Sequence, residues 1–183
     1  MYLRCFLICL LLISVLSGCK KSDSEVPEKG VSRTLNDYRK KTISDVRYDL
    51  QFTIPDQKAL AINGKVKISF ALNSLEQDLV LDFSNESKQV QAVSKSGKAL
   101  SYQFINEHIV IPAQHLEVGE NTIEIEFIAG DLSLNRSDDY LYTLFVPDRA
   151  STCFPLFDQP NLKAKYTLTL YTPQHWEAVA NGS

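Results

Sequence analysis

A chain of 183 residues is long enough to bury one core of ordinary size. Its net charge of -3 gives no electrostatic reason to expect nucleic acid or an anionic surface as a partner. Charged residues make up 22% and alternate with apolar ones, as in a globular domain.

The first 18 residues stand apart. Arg4 supplies a short positive start, residues 5–15 form an apolar run, and Leu16, Ser17, Gly18 and Cys19 follow. The run falls short of the about 20 apolar residues that a bilayer span requires, so residues 1–18 read as a cleaved leader. Leu-Ser-Gly-Cys resembles the bacterial lipobox, which makes Cys19 a lipid attachment site; the plainer alternative is a secretory leader with an incidental cysteine. Two or more acyl chains anchor a protein stably. The expectation is therefore a bacterial cell-envelope protein with the membrane as partner, on the outer membrane and facing the periplasm or the cell surface. Loss of Cys5 and Cys9 with the leader and acylation of Cys19 leave Cys153 as the last thiol. Its neighbours Phe154, Pro155 and Phe157 are apolar, which points to a buried, inert cysteine.

Residues 19–41 are polar and carry no apolar period, so they read as a flexible tether ahead of a domain at 42–183. Val46, Tyr48, Leu50, Phe52 and Ile54 then fall on alternate positions, the mark of a strand with one buried face. Val66, Ile68, Phe70 and Leu72 repeat the pattern, and the interval between the two runs suits a hairpin. Shorter strands are expected at 78–83 and 90–94. Two more, at 100–105 and 108–112, are joined by a tight turn at Asn106 and Glu107. Ile123, Ile125 and Phe127 face inward on a further strand, opposite Glu124 and Glu126. No segment shows a helical period. The expected fold is all-β and antiparallel, with one face of each strand buried. His108, His115 and His175 are widely separated in sequence and read as surface or rim residues.

After a polar loop at 130–139 comes Tyr140-Leu-Tyr-Thr, then Phe154-Pro-Leu-Phe-Asp-Gln-Pro160. The two prolines exclude a helix interior or central strand, so this piece is a rigid, irregular connection. Asp158 is placed to accept from nearby backbone N–H groups. Tyr166, Leu168 and Leu170 then alternate with Thr167, Thr169 and Tyr171 on a last strand.

These residues resemble the N-terminal domain of the zinc aminopeptidase N family, the gluzincin aminopeptidases that include leukotriene A4 hydrolase. The resemblance rests on Tyr140-Leu-Tyr-Thr and on the structural motif Phe154, Pro155, Phe157, Asp158, Gln159, Pro160, Leu162, Lys163 and Ala164. The strand from Tyr166 and the closing residues 178–182 add to it. It implies a β-saddle or sandwich-like domain, incomplete at its C-terminus, that packs on a thermolysin-like catalytic domain and meets peptide substrates only in that company. The resemblance also implies that zinc belongs to that missing domain and that this chain binds no cofactor. The family's Gly-x-Met-Glu-Asn loop and His-Glu-x-x-His are not in this sequence, whose one Met is Met1. Zinc chemistry needs three protein ligands and an open position, so the chain alone is expected to be inactive. Where the family has Gln-x-Glu lining the substrate site, this chain has Leu144 and Val146, and Asp148 is the nearest substitute carboxylate. The expected function is thus the non-catalytic N-terminal fragment of a lipid-anchored aminopeptidase. The alternative is a stand-alone β-sandwich lipoprotein acting as a binding module.

Overall fold

A computed structural model describes residues 26–181. Among the described residues there are eleven strands and one α-helix, in the order α1 (Arg33–Thr42), β1 (Ile43–Thr53), β2 (Asn63–Leu72), β3 (Leu79–Asp82), β4 (Val90–Lys95), β5 (Lys98–Ala99), β6 (Gln103–Ile105), β7 (His108–Ile111), β8 (Gly119–Ile128), β9 (Leu134–Arg136), β10 (Leu141–Thr143) and β11 (Lys165–Tyr171). They form an open six-stranded sheet ordered β11-β1-β2-β8-β4-β5, a three-stranded sheet β3-β7-β6 and a hairpin β9-β10.

Alternation in sequence becomes alternation in burial. Along β2, Val66, Ile68 and Phe70 are fully buried, and on its neighbour β8 so are Ile123 and Ile125. Leu81, Ile109 and Ile111 of the smaller sheet join them in one apolar cluster, so the core lies between the two sheets. Phe83, Phe127, Phe52 and Phe154 extend it through edge-to-face ring contacts. On the wet face Lys65 pairs with Glu124 and Glu126 across the strands.

Turn chemistry sets the registers. Asn106 and Glu107 both take positive φ (48° and 65°) in the two-residue connection of β6 to β7, the geometry that matches strand twist. A bulge between Ser44 and Arg47 places Asp45 at φ 54° and aligns the rest of β1 with β2.

Three sequence expectations need correction. The sheets are not wholly antiparallel, because β11 pairs with β1 in parallel, Leu168 beside Leu50. Part of the expected polar loop at 130–139 forms β9, paired with β10. Residues 33–41, expected within the tether, are helical. Ser32 caps α1 by accepting from Leu35 N–H at 3.2 Å, and Arg39, Lys40 and Lys41 lie in the last turn, favourable against the helix dipole. The helix escaped detection because the residues it buries are Arg39 and Thr42, which carry no apolar period. The leader and Cys19 lie outside the described residues.

Gly64 on β2 sits against the ring of its cross-strand neighbour Phe127, and a Cβ there would stand 2.3 Å from Phe127 Cζ. Gly64→Ala therefore forces the ring or the strand to shift. It should lower stability by about 1–3 kcal/mol, read as a reduced urea midpoint with an unchanged slope.

Candidate functional site: the buried carboxylate under the Phe154–Pro160 loop

The pairing of β3 with β7 sets Asp82 directly opposite His108 on the outer face of the small sheet. That face is not exposed. α1 and the 154–160 loop cover it, leaving Asp82 4% and His108 1% accessible. The expectation that His108 is a surface or rim residue is thereby overturned. Its position alternates with Ile109 and Ile111 as an outward residue, but outward here means beneath a second layer.

Asp82 gathers that layer. Arg39 of α1 donates from Nη2 to Asp82 Oδ1 at 2.6 Å and from Nη1 to Oδ2 at 2.8 Å, a bidentate fork. Arg39 also donates to the Val80 carbonyl (2.8 Å) and to Gln159 Oε1 (3.3 Å). Arg39 Nε is buried without a hydrogen-bond partner, and the guanidinium lies 5.4 Å from the ring centroid of Phe157. The Asp158 N–H donates to Asp82 Oδ2 at 2.7 Å. The backbone of Asp82 exchanges hydrogen bonds with Leu156 in both directions, at 2.8 and 3.1 Å. His108 donates from Nδ1 to the Asn106 carbonyl at 2.7 Å, while its Nε2 stands 3.2 Å from Asp82 Oδ1 without the alignment of a hydrogen bond. Burial by itself raises the Asp82 carboxyl, but the Arg39 charge and the converging donors outweigh it and hold the group below the ordinary carboxylate range.

The loop is fixed at further points. Phe157 N–H donates to Tyr48 Oη at 3.0 Å, and burial pushes that hydroxyl above its ordinary range. Asp158 Oδ2 accepts from Ser151 N–H at 2.9 Å, the backbone role expected of it. Gln159 is 5% accessible, bound to Arg39 and, through Nε2, to Asn161 Oδ1 at 2.9 Å. Phe154 and Phe157 enter the core, while Leu162 is half-buried and Lys163 and Ala164 are exposed. Cys153 is fully buried as expected, and burial pushes its thiol up to about 12.

A cleft of about 460 Å3 opens beside this cluster, with Pro147, Asp148 and Pro160 among its walls. Asp148 is exposed in the turn after a cis Val146–Pro147 bond, and Leu144 and Val146 are exposed at 50% and 75%. The three residues expected near substrate are thus on the surface; Asp148 lines the same cleft as Asp82 and His108, and Leu144 and Val146 are not among its walls. Among the described residues no group of three or more His, Cys, Asp or Glu is arranged to hold a metal ion. The three histidines are dispersed, His115 hydrogen-bonding Ser101 and His175 lying 3.6 Å from Asp56. These side chains do not fit a zinc site.

The family model described as Peptidase M1 N-terminal domain matches residues 44–183. The chain belongs to that family. Aminopeptidase M1-B of Oryza sativa subsp. japonica is 28% identical over 155 residues, covering 75% of this chain and 18% of that enzyme. Leukotriene A4 hydrolase from Saccharomyces cerevisiae has a similar fold, with TM-score 0.61, 22% identity, and coverage of 73% of this chain and 24% of that one. The M1 zinc metallopeptidase from Deinococcus radiodurans follows with TM-score 0.58 and 16% identity, covering 73% and 33%. This M1 N-terminal domain therefore spans under a fifth of the rice enzyme and about a third or less of the two structures. In it, the Phe154–Pro160 residues that carry the family resemblance are the ones that close over Asp82. Sequence reasoning missed Arg39, Asp82 and His108, and the one signal was a lone Asp at the end of an apolar strand and a His just after a tight turn, each beside a buried apolar run.

Asp82→Asn leaves the Arg39 charge buried without its partner, which should cost about 3–5 kcal/mol in urea unfolding at neutral pH. In the wild-type chain the folded carboxyl titrates below its unfolded value of about 3.9. Its stabilisation is complete above that pH and is lost as pH falls through the folded value, so acid should close the gap between wild type and Asp82→Asn. A second measurement concerns the thiol: Cys153 should resist a thiol reagent at pH 8 in the folded chain and react promptly in denaturant.

Proposed function

We propose that this domain is the non-catalytic N-terminal part of a lipid-anchored zinc aminopeptidase of the bacterial cell envelope. It stands beside a catalytic domain carried elsewhere in the protein and helps to wall the peptide site. The observation that carries this reading is how the motif is used. Asp158 and Gln159, the polar residues of the Phe154–Pro160 loop, are committed to Ser151 N–H and to Arg39, so they position a loop and leave no free group for chemistry. Membership of the M1 N-terminal family and the likeness to a rice aminopeptidase support the enzymatic context. Zinc would then be held by the catalytic domain.

On this reading the exposed run Leu144, Val146 and Asp148 is the part of this chain nearest to peptide, with Asp148 the one carboxylate available to a free amine. Cys19 carries the lipid, placing the protein on the outer membrane, toward the periplasm or the cell surface.

The purified chain, supplied with zinc, should not hydrolyse aminoacyl-p-nitroanilides above the blank; chelator-sensitive turnover would overturn the non-catalytic assignment. Reading the gene beyond Ser183 should reveal Gly-x-Met-Glu-Asn and His-Glu-x-x-His, and their absence would favour a stand-alone binding lipoprotein instead. Cys19→Ser should move the protein from the membrane to the soluble fraction and abolish labelling by radioactive palmitate; an unchanged distribution would sink the anchor.

A further inference from the structure

The segment ahead of β1 is held in an unusual manner. From Val26 to Thr42 it contributes no residue to the buried apolar core, which begins at Ile43. Its attachments are polar and spread along its length. Asn106 Nδ2 donates to the Pro27 carbonyl at 2.9 Å, and Lys29 pairs with Glu107 at 2.6 Å. Asn36 and Asn161 exchange hydrogen bonds at 3.0 and 3.2 Å. Asn73 Nδ2 donates to the Lys41 carbonyl at 2.9 Å. All of these lie at exposed positions, where water can replace each partner at little cost. Two attachments lie deeper: buried Gln159 donates from Nε2 to the Asn36 carbonyl at 3.4 Å, and the carbonyl of buried Thr42 accepts from Asn73 N–H at 3.1 Å. Among the segment's charged side chains only Arg39 enters a dry site, where its guanidinium makes a bidentate pair with Asp82.

The same segment closes one side of the cleft beside the Phe154–Pro160 loop. Gly30, Val31 and Asn36 form that side, facing Pro147, Asp148 and Pro160. Other walls belong to the loop and to the turn after β10. The loop is fixed to the sheets by Phe157 N–H on Tyr48 of β1 and by the two-way backbone bridge of Leu156 with Asp82 of β3, and the turn begins at Leu144, whose N–H donates to the Ser133 carbonyl beside β9.

We propose that residues 26–42 form a polar strap over the small sheet, latched by Arg39 in the Asp82 site, and that the strap opens as a unit while the two sheets stay folded, uncovering the cleft. Opening exposes little apolar surface, so its cost is dominated by the one ion pair and not by the core. A segment with few buried apolar contacts belongs to the low-stability end of a structure's local openings. Arg39 is thus a positioning residue for the strap. The inference rests on this chain's own contacts and is independent of the aminopeptidase reading.

Native-state hydrogen exchange of the wild-type full chain tests this without any variant. Amides of α1 should exchange at least about 100-fold faster than those of β2 and β8, with a weaker dependence on denaturant. Equal rates and equal denaturant slopes in α1, β2 and β8 would make the helix part of the global unit and overturn the strap. Arg39→Met removes a pair that is absent from both the strap-open and the unfolded states, so it should accelerate exchange of α1, β2 and β8 by a similar factor of about 100 and leave α1 the faster by the same margin; α1 exchange unchanged by Arg39→Met would show that Arg39 is not the latch. For the cleft, a thiol placed on its wall by Ser84→Cys should be labelled by a maleimide faster when combined with Arg39→Met, read on the peptide that contains it. Equal labelling with and without Arg39→Met would refute the gating role even if the helix opens.

Discussion

The Asp82 carboxylate is the group on which the outer layer of this domain depends. One oxygen pair receives the Arg39 fork from the N-terminal helix and the Asp158 N–H from the motif loop, and His108 stands against it from the neighbouring strand. A charge taken out of water must be met on every side, because an unpaired buried carboxylate costs several kcal/mol. That requirement fixes where α1, β7 and the 154–160 loop can sit relative to β3. Leu156 extends β3 by a single two-way bridge, so side chain and backbone of the same residue hold the same loop.

This arrangement accounts for the loop's composition. Proline at 155 and 160 removes backbone freedom from a segment that has no ladder to constrain it. Phe154 and Phe157 supply its apolar anchor, with Phe157 edge-on to Phe70 of the large sheet. Asp158 and Gln159 then satisfy donors that would otherwise be buried without partners. A dense local signature can be a structural joint; here the joint lies beside the cleft that Asp148 helps to wall. In this loop Asp158 and Gln159, residue types that often carry chemistry, are bound to Ser151 and Arg39.

Legibility in the sequence divided along a physical line. Strands β1, β2, β8 and β11, the β6–β7 turn and the buried Cys153 were readable, because burial of one strand face imposes a period of two and a tight turn demands positive φ at named positions. Burial by a second layer imposes no such period. His108 occupies an outward position by alternation and is nonetheless buried, since a helix and a loop distant in sequence cover it. α1 escaped for the complementary reason: an amphipathic helix advertises itself by an apolar stripe, and this one docks through a guanidinium. The parallel pairing of β11 with β1 was likewise invisible, since alternation is the same in either direction.

What the sequence determined by itself was therefore the strand content, the location of the core-facing residues and the family, the last through a short run of prolines, aromatics and polar residues whose spacing tolerates little change. What only the tertiary structure decided was the purpose of that run. Arg39, Asp82 and Gln159 are separated by 43 and 120 positions from Arg39 onward. A hydrogen bond between residues so far apart leaves no local pattern, because electrostatic partners are chosen by distance in space and not along the chain.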